Sequence, residues 1–143
     1  MEISNDQKNY LWQHFQFNAD QRLKAFNFFV VLSVFANGGV FTALDKSFHP
    51  CVLALIGGFV MVLSVVFYVI DLRSKELLAL TVPGLQAYEQ QLPEALRVFT
   101  NEADNRRFIP KYTVAFRTLF GLQFLFGAGV VIFACWTWMR PVL

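Results

Sequence analysis

The stretch CVLALIGGFVMVLSVVFYVI, Cys51 to Ile70, carries no charged side chain. About 20 apolar residues in helical form reach across the ~30 Å hydrocarbon core of a bilayer, so this stretch reads as a transmembrane helix. A charged junction, Asp71-Leu72-Arg73-Ser74-Lys75-Glu76, follows at once. Basic residues beside a span hold that end in the cytoplasm. With one span oriented, the apolar segment before it must enter from the cytoplasm and the one after it must leave from there.

The preceding apolar segment, Ala25 to Leu44, is joined to Cys51 only by the turn Asp45 to Pro50 (DKSFHP), which can connect nothing but two adjacent antiparallel helices. Ahead of it, Ser4 to Lys24 reads as an amphipathic helix. Ser4 and Gln7 form a candidate capping box, and Leu11, Phe15, Ala19 and Leu23 recur every fourth residue. Neither Pro nor Gly interrupts Asn5 to Asn37, so this helix is expected to continue into span one. Asn37-Gly38-Gly39 lowers helix propensity and predicts a kink.

After span two, Leu72 to Lys111 is punctuated by Pro83, Pro93 and Pro110, each suited to the first turn of a new helix. Short helices are expected over Pro83 to Gln91 and Pro93 to Asn101, with Leu85, Tyr88, Leu92, Leu96 and Phe99 as their apolar contacts. A solvated loop is expected from Asn101 to Arg107. The third span runs from Thr118 to Met139, with Trp136 and Trp138 at its far end as an interfacial belt would place them. The predicted fold class is all-α. It comprises a single polytopic membrane domain with three transmembrane helices, an amphipathic N-terminal helix, and short cytoplasmic helices between spans two and three.

Composition agrees. The chain has 143 residues, 56% hydrophobic and 17% aromatic, with 17 Phe, above the apolar share of an ordinary soluble domain. A net charge of +2 does not suggest direct nucleic-acid binding. The first apolar segment starts too late, behind too many acids and amides, for a secretory signal peptide, so the N-terminus is expected to be retained. His14 and His49 fall on opposite sides of the membrane without ligand spacing, and no nucleophile motif or Gly-rich phosphate loop occurs. No enzyme, cofactor or metal is expected.

The residues that stand out concern association. In span two, Ala54 and Gly58 make a small-xxx-small pair, while Gly57 and Ser64 lie seven apart. In span three, Gly121, Ala128 and Cys135 recur every seven. Such seams let helix backbones approach, within one chain or between copies. Asn27, Asn37 and Gln123 are uncharged amides inside the spans. They either bond across helix contacts or line a pore, whose mouths would carry Asp45 and Asp71. Arg106-Arg107 fits a topology determinant, or a contact to an anionic headgroup or phosphate ligand. Cys51 and Cys135 form no metal or redox motif. Both are expected toward the outer face, which leaves a disulfide open.

Ala19-Asp20-x-Arg22 ahead of Asn27-x-Phe29, with Leu72-Arg73-Ser74-Lys75 followed by Glu89-Gln90-Gln91-Leu92-Pro93, resembles small bacterial inner-membrane proteins of the RipA-like oligomeric kind. More broadly the layout is similar to short multi-span effectors that accompany nucleotide-signalling or reverse-transcriptase systems in bacterial phage defence. That resemblance implies assembly into rings or pores, with a cytoplasmic protein or nucleotide signal as partner and the lipid bilayer as surroundings. A non-conducting scaffold for another membrane protein would use the same seams.

Lys8, Arg22, Lys24, Arg73, Lys75, Arg97, Arg106, Arg107, Lys111 and Arg117 fall on one side of the three spans, and only Lys46 and Arg140 on the other. The bias predicts N-terminus inside and C-terminus outside. A periplasmic reporter fused after Leu143 should be active, and one inserted between Asn101 and Arg107 silent. The reverse pattern would invert the topology.

Overall fold

The computed structural model describes residues 4–104 and 112–140. It is all-helical, with no strand among the described residues. Helix α1 spans Asn5–Asp45, α2 Pro50–Glu89, α3 Val98–Asp104 and α4 Tyr112–Met139, with a single 3-10 turn at Glu94–Leu96 before α3. Three of these helices, α1, α2 and α4, are long and apolar enough to cross a membrane.

The amphipathic segment and span one form one 41-residue helix, about 60 Å at 1.5 Å per residue. It runs through Gly38-Gly39 without a break, and the Thr42 hydroxyl donates back to the Gly38 carbonyl at 2.8 Å. Helix α2 likewise continues past the membrane-length stretch and through Pro83 to Glu89, which corrects the expectation that Pro83 begins a new helix. The ring removes the donor for the Ala79 carbonyl. Ala79 and Pro83 are both exposed, so water can take that carbonyl. The break comes only at Gln90–Pro93. Asn101 lies inside α3 rather than opening a loop.

The chain divides into two compact units. One consists of Ala25–Val69 and Lys111–Leu143 and contains the membrane-length stretches. On α1 the buried positions are Phe29, Ser33, Ala36, Val40 and Ala43, alternating steps of four and three that form a narrow coiled-coil-like seam. Phe29 packs with Leu63, Phe116 and Phe120, flanked by Phe26 and Phe67. The Phe26 and Phe116 rings stack at 3.8 Å, and Phe29 meets Phe120 edge-on at 4.6 Å. A second, aliphatic cluster joins Val40, Ala43, Leu53 and Ala134. The outward positions, among them Phe35, Leu55, Leu125 and Ile132, are apolar and exposed, as lipid-facing positions are.

The α1–α2 turn is held by backbone geometry. Phe48 N–H donates to Ala43 O at 2.9 Å and Ser47 N–H to Leu44 O at 3.2 Å, with Ser47 at φ 50°, a Schellman C-cap with Ser in the position Gly favours. His49 then caps α2, its Nδ1 accepting the Cys51 N–H at 3.2 Å ahead of Pro50 in the first turn.

The other unit comprises Met1–Lys24 and Ile70–Pro110. Here α1 is buried at Asn18 and half-buried at Leu11, Phe15 and Arg22. The stripe of every fourth residue does not stay inward, and Leu23 is exposed. Four residues advance 400° around a helix, so a pure four-step stripe rotates ~40° per step, whereas alternating threes and fours stay on one face. The Leu11 side chain sits where a Cβ on Gly84 would be, 2.6 Å away, so that glycine provides the space for it. Phe99 of α3 packs edge-on against Phe15 at 5.3 Å.

In the membrane-length unit a Cβ on Gly57 would lie 2.9 Å from Gly127 O, and one on Gly127 would lie 2.8 Å from Gly57 O. Gly127→Ala should therefore destabilise the purified chain by ~1–3 kcal/mol through overpacking. Gly58→Ala, with nothing within 4 Å, should stay within ~0.5 kcal/mol. Denaturant titration in detergent measures both.

Candidate functional site

Between the aromatic and aliphatic clusters of the membrane-length unit, Asn37 of α1 faces Gln123 of α4. Asn37 Nδ2 donates to Gln123 Oε1 at 3.3 Å and Gln123 Nε2 donates to Asn37 Oδ1 at 2.7 Å. The two amides thus close a reciprocal pair within one chain. In hydrocarbon neither could find water, and the pair is the arrangement that satisfies both. One turn before Asn37 on the same face, the Ser33 hydroxyl is buried with no hydrogen-bond partner. Nothing in the sequence pattern marked Ser33. Asn27 stands apart from the pair, exposed on α1.

The small residues divide. Gly57 meets Gly127 backbone to backbone, Ala54 packs against the aliphatic cluster, and Ser64 is buried with its hydroxyl donated to Val60 O at 2.9 Å. On α4 the buried positions are Phe116, Phe120, Gly127 and Ala134, the last three recurring every seven. Gly121, Ala128 and Cys135 lie one residue out of phase. Gly121 and Cys135 are exposed, Ala128 is half-buried, and Gly58 and Gly121 have nothing within 4 Å of an added Cβ. Cys51 and Cys135 are both exposed free thiols. Arg106 and Arg107 lie outside the described residues.

In the other unit, polar side chains do the joining. Arg22 Nε donates to Asp71 Oδ1 at 2.7 Å, with only 14% and 4% of the side chains exposed. Asp71 is therefore a paired, buried carboxylate and not a free charge at a pore mouth. A pair so buried is costly to break from one side, because it leaves an uncompensated charge. Glu89, the last residue of α2, is 6% exposed and takes up the open N-terminus of α3. Its Oε1 accepts the Phe99 N–H at 3.0 Å, and its Oε2 accepts the Thr100 N–H at 3.0 Å and hydroxyl at 3.1 Å. Burial by itself would raise this carboxyl, but the bonds from Phe99, Thr100 and the Val98 backbone outweigh it and hold the pKa below the ordinary 4.5. Arg97 fastens the same junction, donating to Leu92 O at 2.9 Å and Gln90 O at 3.2 Å.

Beside this junction a cleft of about 340 Å³ is lined by Lys8, Trp12, Tyr88, Glu89, Leu92 and Phe99, among others. The Lys8 ammonium lies 4.9 Å from the centre of the Tyr88 ring. One cation, the exposed Trp12 ring beside half-buried Tyr88 and Phe99, and a carboxylate already spent on α3 make a surface suited to a flat or anionic group. Among the described residues no cluster of His, Cys, Asp or Glu could hold a metal ion.

Fold and geometry define an all-helical protein with three membrane-length helices. A curated relative, CD-NTase-associated protein 19 of Escherichia coli, is 28% identical over 95 residues, covering 65% of this chain and 63% of that protein. The similarity thus spans less than two thirds of the relative. No family model matches the chain, and no solved structure matches it.

Because the Glu89 pKa is depressed, its contribution is present above the ordinary carboxylate value and is lost as pH falls below 4.5 through the depressed value. Glu89→Gln should remove that pH dependence and speed amide exchange at Phe99 and Thr100 by roughly tenfold at neutral pH, the worth of a helix cap. Exchange read by mass spectrometry across pH 3 to 7 tests both.

Proposed function

We propose that the chain is an oligomeric protein of the bacterial inner membrane, N-terminus inside and C-terminus outside, that serves antiphage defence by opening or disrupting that membrane. A nucleotide signal or a protein partner, received by the cytoplasmic helices, sets it off. The observation that carries the defence reading is the similarity to a protein named for its association with a CD-NTase. Three membrane-length helices support the site of action. Half-buried Gly58, with open space for an added Cβ, and exposed Cys135 supply faces on which further copies can pack. The cleft beside Lys8, Trp12 and Tyr88 is the receiving surface in this reading. The activity requires no cofactor, no catalysis and no direct nucleic-acid binding.

A non-conducting scaffold or accessory subunit is the second reading. What favours it is the reciprocal Asn37–Gln123 pair, which turns the two interior amides toward each other within one chain.

Planar-bilayer currents on the purified full chain, with and without added cyclic nucleotides, separate the two. The effector reading expects currents in the wild type, loss of most current in Asn37→Leu with the oligomer mass unchanged, and a smaller oligomer in Gly58→Leu. An intact oligomer that never conducts supports the scaffold.

A further inference from the structure

A second feature of the membrane-length unit lies apart from the amide pair. An open groove of about 230 Å³ runs between α2 and α4, walled by Val65, Tyr68, Phe120 and Phe124, with Gly121 in its floor and Arg117 at one end. A Cβ on Gly121 would meet nothing within 4 Å, so the missing side chain is what leaves the groove open. Ser64 also borders it, but its hydroxyl is turned to Val60 O, and the walls are otherwise apolar.

The end at Arg117 differs. Its Nε is buried and has no hydrogen-bond partner, and its guanidinium lies 5.7 Å from the centre of the Tyr68 ring. Among the described residues, no carboxylate lining the groove offsets this cation.

Depth supplies the occupant. From Arg117 to Trp136, where the interfacial Trp pair of α4 begins, a helix rises about 29 Å, close to the ~30 Å of the hydrocarbon core. Arg117 and Tyr68 then stand at headgroup level in one leaflet, and the apolar part of the groove runs inward from them at acyl-chain depth. A guanidinium binds phosphate oxygens through two parallel N–H donors, and a buried Nε–H without an acceptor favours such a ligand. We propose that this groove is a phospholipid site: an acyl chain lies along Val65, Phe120 and Phe124 over Gly121, and the phosphate of an anionic headgroup accepts from Arg117. The site does not depend on whether the protein conducts.

The full chain, purified in mild detergent and offered phosphatidylglycerol or phosphatidylcholine, tests this by native mass spectrometry. The wild type should retain phosphatidylglycerol preferentially. Arg117→Gln should retain roughly tenfold less, as expected for loss of a charge-assisted hydrogen bond. Gly121→Leu, whose Cβ would enter open space and whose branches would occupy the groove, should lose the lipid as well. Lys46→Gln, an exposed cation at the far end of the bundle, should retain it fully. Wild-type retention in both groove variants, or equal retention of the two lipids by the wild type, overturns the proposal. A Gly121→Leu chain that keeps its lipid but loses its oligomeric state assigns the groove to a second copy instead.

Discussion

The contact of Gly57 with Gly127 governs the membrane-length unit. Inside a bilayer lipid is as apolar as the helices, so association relies on close packing and satisfied polar groups. Two glycines opposite each other let the α2 and α4 backbones approach until an added Cβ on either would overlap the partner's carbonyl oxygen. Val60, Met61, Val130 and Val131 crowd the same contact. With α2 and α4 at that spacing, α1 lays its four-three seam against them. The phenylalanine layer forms before the amide pair along α1 and the aliphatic layer after it.

The spans were readable because they depend on quantities a sequence displays directly, namely apolar length and the absence of charge. The seven-residue period of small residues was also readable, but its phase on α4 was not. Gly121, Ala128 and Cys135 form as regular a series as Phe120, Gly127 and Ala134, and only the second faces inward. Small size marks a position where a helix can approach, and a large Phe in the true seam hides it. Gly127 could have been found only by pairing it with Gly57, which needs the partner helix. Pro83 misled for a related reason. Its cost depends on whether the orphaned carbonyl reaches water, and that is a property of the folded surface.

In the other unit the residues that decide the fold are those a sequence reading treats as solvating charge. Arg22 and Asp71 are 49 positions apart, beyond any local pattern. Both lie beside apolar stretches, where topology alone accounts for their presence. Their burial draws the inward face of α1 away from Leu23 and onto Asn18 and Arg22. Glu89 acts similarly over ten residues, since α3 lacks a local side-chain cap and its amides turn to the end of α2. A short helix of 7 residues is marginal by itself, and this carboxylate supplies the acceptors that its first turn lacks.

The amide pair constrains what any open state could be. Each amide of Asn37 and Gln123 gives one donor and one acceptor to the other, and separating them in a dry interior would leave both unsatisfied at a cost of several kcal/mol. A conducting arrangement would therefore have to hand these groups either to water that has already entered or to the amides of a neighbouring copy. Ser33, buried one turn away without a partner, is the adjoining place where a first water could be held, because its hydroxyl is an idle donor and acceptor. Hydration beginning there would lower the cost of parting the pair, whereas a helix rotation with the interior still dry would bear all of it. In any conducting arrangement wetting would therefore have to precede separation of α1 from α4.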